Sequence, residues 1–154
     1  WRFDLDTEGR LWIADVGQNC WEEVNLVTID EKANLGWAER EGFHAFYEGS
    51  SCSEVAEMAD PNYVDPVLAY PHQNGNCSIT GGYWMDWGPE VLREGYLYGD
   101  FCTGAIWLLR ESHEGTSWEE TLVGYSGGMI VGFGEGPEGG LLVFHWTGEI
   151  LRIS

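Results

Sequence analysis

Four cysteines, Cys20, Cys52, Cys77 and Cys102, carry the most distinctive chemistry of this chain, and no two of them form a CxxC pair. With only four histidines at irregular spacing beside them, zinc ligation is not indicated. An even count suits two disulfides made in an oxidising compartment, with free buried thiols as the other reading. Asp15 and Asp100 each close a strand-like run at equivalent places, which points them to one rim. Two such carboxylates could act as a general acid and base, but a strand-end Asp more commonly accepts N–H groups of the following turn. His72 and His145 are unclustered; they could face a channel, yet read better as hydrogen-bonded structural groups. The glycines of GFGEGPEGG, at Gly134, Gly136 and Gly139, have GxGxxG spacing. A dinucleotide loop must be followed by a helix, whereas LLVF follows here, so the segment reads as a hairpin turn. Asn76-Cys77-Ser78 fits the N-glycosylation pattern, which recurs by chance. The pair Gly81-Gly82 interrupts an otherwise strand-like SITGGYWM, so something must approach that backbone closely.

Charge excludes several partners. The chain has 26 acidic and seven basic residues, a formal charge of −19, and a polyanion such as nucleic acid would be repelled. The acids are scattered rather than gathered in a tail, which reads as a solvated surface, with bound Ca²⁺ as the minority reading. No run has the 18 or so apolar residues of a membrane span.

Those residues must be positioned by strands. Nine Trp, seven Tyr and 22 Gly in 154 residues indicate an all-β chain of short strands and tight turns. Eleven strand-like runs are found, at 1–6, 11–16, 22–29, 66–72, 78–85, 95–100, 105–112, 119–125, 129–135, 140–145 and 149–154. A loop over 30–65 breaks the rhythm, with a helical turn expected near 54–58. The chain also repeats. WRFDLDTEGRLWIAD superposes on VGFGEGPEGGLLVFH about 130 residues later, matching Phe3 with Phe133, Gly9 with Gly139 and Leu11 with Leu141. GYLYGDFCTGAIWLL matches LWIADVGQN about 85 residues earlier through Asp100 and Asp15. These periods are those of four-stranded propeller blades, each a meander with its first strand nearest the axis. The expected arrangement is one half-propeller domain: a blade over 1–72, a second over 73–126 and an incomplete one over 127–154. About three blades is fewer than the four to eight that usually close a ring.

The runs WRFDLDTEGRLWIADVGQNCWEEVNLV, NLGWAEREGF, DPVLAYPH, CSITGGYWM, GYLYGDFCTGAIWLL and IVGFGEGPEGGLLVF closely resemble the second half of the glucose/sorbosone dehydrogenase family. The resemblance implies the C-terminal half of a six-bladed β-propeller that, when whole, oxidises aldose sugars with pyrroloquinoline quinone (PQQ) and Ca²⁺. It also implies that the catalytic histidine and an active-site arginine lie outside this chain, which is then expected to be inactive alone, with no catalytic residue of its own. Within it, Thr80, Gly81, Gly82, Cys102 and Thr103 fall at cofactor-bordering positions, while Cys102, Met129 and Val131 stand where the glucose dehydrogenase branch is basic. The turn at 14–19 matches a Ca²⁺ loop with backbone carbonyls of Gly17 and Gln18 as ligands; Gln18 and Leu35 depart from the residues usual there. By the same resemblance Cys77 pairs with Cys102, leaving Cys20 for Cys52. The expected setting is periplasmic or secreted, and a second copy or a missing N-terminal half is expected to cover the open blade faces. The competing reading is a non-catalytic, ligand-binding propeller of the hedgehog-interacting-protein-like type.

Overall fold

The computed structural model describes residues 1–30, 32–49, 51–52 and 57–153. Three antiparallel meanders follow one another along the chain. The first sheet contains β1 (Arg2–Leu5), β2 (Arg10–Asp15), β3 (Trp21–Thr28) and, after the insertion, β6 (Leu68–Pro71). The second runs β7 (Ile79–Trp84), β8 (Tyr96–Asp100), β9 (Ala105–Glu111) and β10 (Trp118–Tyr125). The third has β11 (Ile130–Glu135), β12 (Leu141–His145) and β13 (Ile150–Ile153). All-β architecture in blade-like sheets is therefore borne out. The long repeat is structural too: Phe3 pairs with Ile13 in the first hairpin as Phe133 pairs with Val143 in the last.

Two differences from the sequence reading lie in the insertion. Residues 30–65 are not a plain loop, because β4 (Arg40–Glu41) and β5 (His44–Ala45) form a hairpin that His44 extends by a bridge to Glu57. The described strands thus number thirteen rather than eleven. Such two-residue strands are too short for a period-two pattern to show. The helical turn expected near 54–58 lies at 54–56 outside the described residues.

Sheet faces pack against one another through two apolar layers. Between the first and second sheets, Trp12 is fully buried, stacked on Tyr96 at 5.1 Å and Trp84 at 5.5 Å, with the edge of Trp118 at 5.2 Å. Ring pairs of this kind each add about 0.5–1.5 kcal/mol beyond their buried area. Between the second and third, Met85, Leu97, Ile106, Ile130, Phe133 and Val143 form the other layer. Among the described residues no such layer covers Phe3 and Leu5 on the first sheet, which are 72% and 47% exposed. On the last sheet Ile150 is 60% exposed.

The first strands of the three sheets meet, with β7 in the middle. Thr80 Oγ1 donates to the Ile130 carbonyl at 2.9 Å on one side, and Asp4 on β1 accepts the Trp84 N–H at 2.8 Å on the other. Arg2 reaches from β1 to the Phe133 carbonyl of β11 at 3.3 Å. The glycine pair makes this approach possible. A Cβ at Gly82 would lie 1.5 Å from the Leu97 carbonyl oxygen, and one at Gly81 2.6 Å from Ala14 Cβ. The β7–β8 register breaks between Thr80 and Tyr83, so the two glycines form a bulge where strands crowd.

Both expected disulfides are present, Cys20–Cys52 and Cys77–Cys102, closing separations of 32 and 25 residues. In the chain-entropy account each stabilises by roughly 3 kcal/mol.

Candidate functional site

Antiparallel hairpins bring the starts of β1, β7 and β11 and the ends of β2, β8 and β12 to one rim. There the residues singled out from sequence divide between two cavities.

The first, about 320 Å³, is lined by Asp15, Gly17, Gln18, Trp21, Trp37 and Arg40, with Glu23 and Glu41 among its other walls. Its floor is the insertion hairpin held against β3. Glu41 Oε1 accepts the N–H groups of Asn19 at 2.7 Å and Cys20 at 3.0 Å, which fixes the turn after β2. Gly17 is required there, since a Cβ would lie 1.9 Å from the Trp21 carbonyl oxygen. Glu23 accepts from Gly42 N at 2.8 Å and Asn25 Nδ2 at 3.0 Å. Arg40, buried, donates through Nη2 to Asp65 at 2.6 Å and to the Gly42 carbonyl at 3.1 Å. The Trp21 and His44 rings stack at 4.0 Å.

Burial, helped by nearby Asp15 and opposed by Asn25, Gly42 and Arg40, pushes the Glu23 carboxyl up to about 7. A carboxyl raised in the folded state binds its proton more tightly there than in the unfolded chain, so its contribution to stability is largest below the unfolded value of 4.5. That contribution declines as pH rises towards about 7. Glu23→Gln, which cannot ionise, is expected to unfold at higher temperature than the native protein at pH 8 and to lose the advantage near pH 4.5, a difference on the order of 3 kcal/mol between those limits. Equal pH dependence of the two unfolding midpoints would contradict the assignment.

Asp15 behaves differently from the expectation for it. Among the described residues no turn amide is bound by its carboxylate, because Glu41 from the insertion takes those amides instead. Asp100 does act as expected: it is buried and accepts from the amides of Cys77, Ser78 and Thr103 at 2.9–3.1 Å and from the Thr103 hydroxyl at 2.9 Å. The two equivalent carboxylates therefore form no acid/base pair.

A second cavity, about 490 Å³, opens beside the inner strands and is mostly apolar, walled by Trp1, Phe101, Ile130, Val131 and Trp146. Cys77, Ser78 and Thr80 complete it. The other expected cofactor-bordering residues are placed elsewhere. Gly81 and Gly82 are buried against protein atoms, Cys102 is in its disulfide, and Thr103 caps Asp100. His145 does not face a channel: it is buried over Gly128, with Nδ1 3.3 Å from Glu149. His72 is hydrogen-bonded to the buried Glu22, whose other oxygen accepts the Ile79 N–H at 2.7 Å. Both histidines are thus structural.

The two cavities differ in how their linings suit the groups the resemblance implies. PQQ is a tricarboxylate, and among the described residues no cationic side chain lines the larger cavity. Val131, part of its wall, carries no charge, and neither do Cys102 and Met129. For Ca²⁺ the smaller cavity offers hard oxygen donors, the Asp15 carboxylate and the main chain at Gly17 and Gln18, which is the right chemistry. Among the described residues no three His, Cys, Asp or Glu side chains cluster for a metal.

Glu23, Arg40 and Glu41 were not singled out from sequence. A signal for the first existed: adjacent acids Glu22 and Glu23 lie inside a strand and face opposite sides, so a strand covered on both faces must bury both.

No protein-family profile matches the chain. Among curated proteins it is 33% identical to the HIPL2 protein of Arabidopsis thaliana over 135 residues, 82% of this chain, and 33% identical to the HIPL1 protein of the same plant over 115 residues. It spans 19% and 16% of their lengths. Among solved structures, the PQQ-bound aldose sugar dehydrogenase of Streptomyces coelicolor aligns with a TM-score of 0.64 at 16% identity, over 97% of this chain and 41% of that one. A glucose dehydrogenase aligns at 0.68 and 19% identity, over 99% and 43%. The fold is that of part of these sugar dehydrogenases, and the resemblance read from the sequence holds at that level.

Proposed function

We propose that the chain is the C-terminal part of a PQQ-dependent aldose, glucose or sorbosone dehydrogenase-like propeller, supplying scaffold and one rim of the central cavity but no catalytic group. The observation that carries this is the meeting of three first strands along β7 in a fold covering 97% of this chain and 41% of a sugar dehydrogenase. The two open sheet faces are then covered by further blades, from an N-terminal half or a second copy closing a six-bladed ring. The sugar is the substrate of the complete ring. In this reading Ca²⁺ would rest on the carbonyls of Gly17 and Gln18 beside Asp15, and PQQ, which supplies the hydride-accepting chemistry when bound, would draw its carboxylate partners from outside this chain. Two disulfides suit a periplasmic or secreted setting, and no helix of the described residues is long and apolar enough to cross a membrane.

The second reading, a ligand-binding propeller without catalysis, is favoured by the 33% identity to HIPL proteins and by the uncharged larger cavity. Dye reduction separates the two. The purified chain with PQQ, Ca²⁺ and glucose is expected to reduce no dye, whereas adding the N-terminal half of a homologous sugar dehydrogenase restores reduction. Failure of any such pairing to restore it would favour the binding propeller.

A further inference from the structure

We infer that the larger rim cavity takes an uncharged, flat aromatic molecule and discriminates against anionic ones such as PQQ. The inference rests on the cavity belonging to a propeller rim but departs from the ligand that such a rim implies. Four observations support it.

The volume, about 490 Å³, is in the range of small-molecule sites. Aromatic side chains form much of its wall: Trp146 is 69% exposed and meets Phe101 edge to face at 6.2 Å, and Trp1 is 72% exposed. Two indoles so exposed lose apolar surface to water, and a flat ring laid against them recovers that surface and the preferred ring geometry. Ser78 and Thr80 are the hydroxyl-bearing residues of the lining, of the type that orients a carbonyl or phenol group. Thr80 uses its hydrogen on the Ile130 carbonyl and keeps lone pairs for an incoming donor.

Charge decides against an anion. The group behind the wall is the buried Asp100 carboxylate, which accepts the N–H of Cys77 and Ser78, two residues that line the cavity. Arg2 is the sole cation on β1, β7 and β11, and its guanidinium is directed to the Phe133 carbonyl rather than into the cavity. The Trp1 ammonium donates to the Ala14 carbonyl at 2.7 Å, so a tricarboxylate would give up its hydration with no cationic side chain among the described lining residues to meet it, next to a negative group, on a chain of charge −19.

The test uses menadione, an uncharged bicyclic quinone, and PQQ, binding each by equilibrium dialysis to the full chain. Menadione is expected to bind saturably at one site and PQQ at least about tenfold more weakly. Trp146→Ala, at an exposed position, is expected to weaken menadione about tenfold. Val131→Arg, which points a cation into the cavity from a half-buried position, is expected to strengthen PQQ about tenfold while leaving menadione no tighter. Native protein that binds PQQ as tightly as menadione, or takes up no menadione, overturns the inference. So does a Trp146→Ala variant that binds menadione unchanged. None of these results bears on the half-propeller reading, whose own test is the restoration of dye reduction.

Discussion

Gly82→Ala is expected to prevent folding. The added methyl would sit 1.5 Å from the Leu97 carbonyl oxygen, 2.6 Å from the carbonyl carbon and 3.1 Å from Tyr98 Cα, all backbone of the neighbouring strand β8. No side-chain rotamer can relieve an overlap with main chain, so β7 must leave the sheet or β8 must shift. Either movement breaks the contacts between β7 and its neighbours on both sides, including the Thr80 bond to Ile130. The expected loss is above about 4 kcal/mol, a large share of a domain's stability. The control is Gly9→Ala, whose Cβ meets nothing within 4 Å and whose penalty is only that of a positive φ of +78°. It should cost about 1 kcal/mol. Thermal unfolding followed by circular dichroism separates the two; a Gly82→Ala protein with the native midpoint would show that β7 is not the crowded strand described here.

Asp100→Ala is the second large loss. The carboxylate is 1% exposed and holds together the segment before β7, the end of β8 and the turn that follows. Its removal leaves three amides and the Thr103 hydroxyl without their acceptor, and Tyr70 loses the oxygen to which its hydroxyl donates at 3.3 Å. An unpaired buried donor costs about 1–3 kcal/mol, and water entering the gap recovers part of that. The expected net loss is about 3–5 kcal/mol, or roughly 10 °C in Tm for a chain of this size. Asp100→Asn keeps one acceptor oxygen and should fall between the two proteins. A Tm unchanged in Asp100→Ala would mean that the Cys77–Cys102 link alone fixes the segment.

The strands were legible in the sequence because they alternate over four or more residues and end at turn residues. The repeat was legible because blades reuse one hairpin, so Phe3 and Phe133 fall in the same register. The structural role of Asp100 followed from local chemistry, a strand-end carboxylate before a turn. What was hidden depends on contacts across the chain. Asp15 occupies the equivalent place in the first sheet, yet its turn is bound by Glu41, 26 positions away in the insertion. The same holds for Arg40 and Asp65, which meet because the hairpin β4–β5 folds back on the first sheet. The lining of the larger cavity draws on five separate segments, and only the fold shows that none of their described residues brings a cationic side chain.

The open faces of the first and last sheets state the central claim most plainly, since a three-blade arc with Phe3, Leu5 and Ile150 exposed is not a finished surface. Sedimentation of the purified chain at micromolar concentration measures this directly. With no other blades supplied, copies of the chain are expected to cover one another's open faces, giving species of at least twice the 17.3 kDa chain mass. A single stable 17.3 kDa species with no tendency to associate would contradict it.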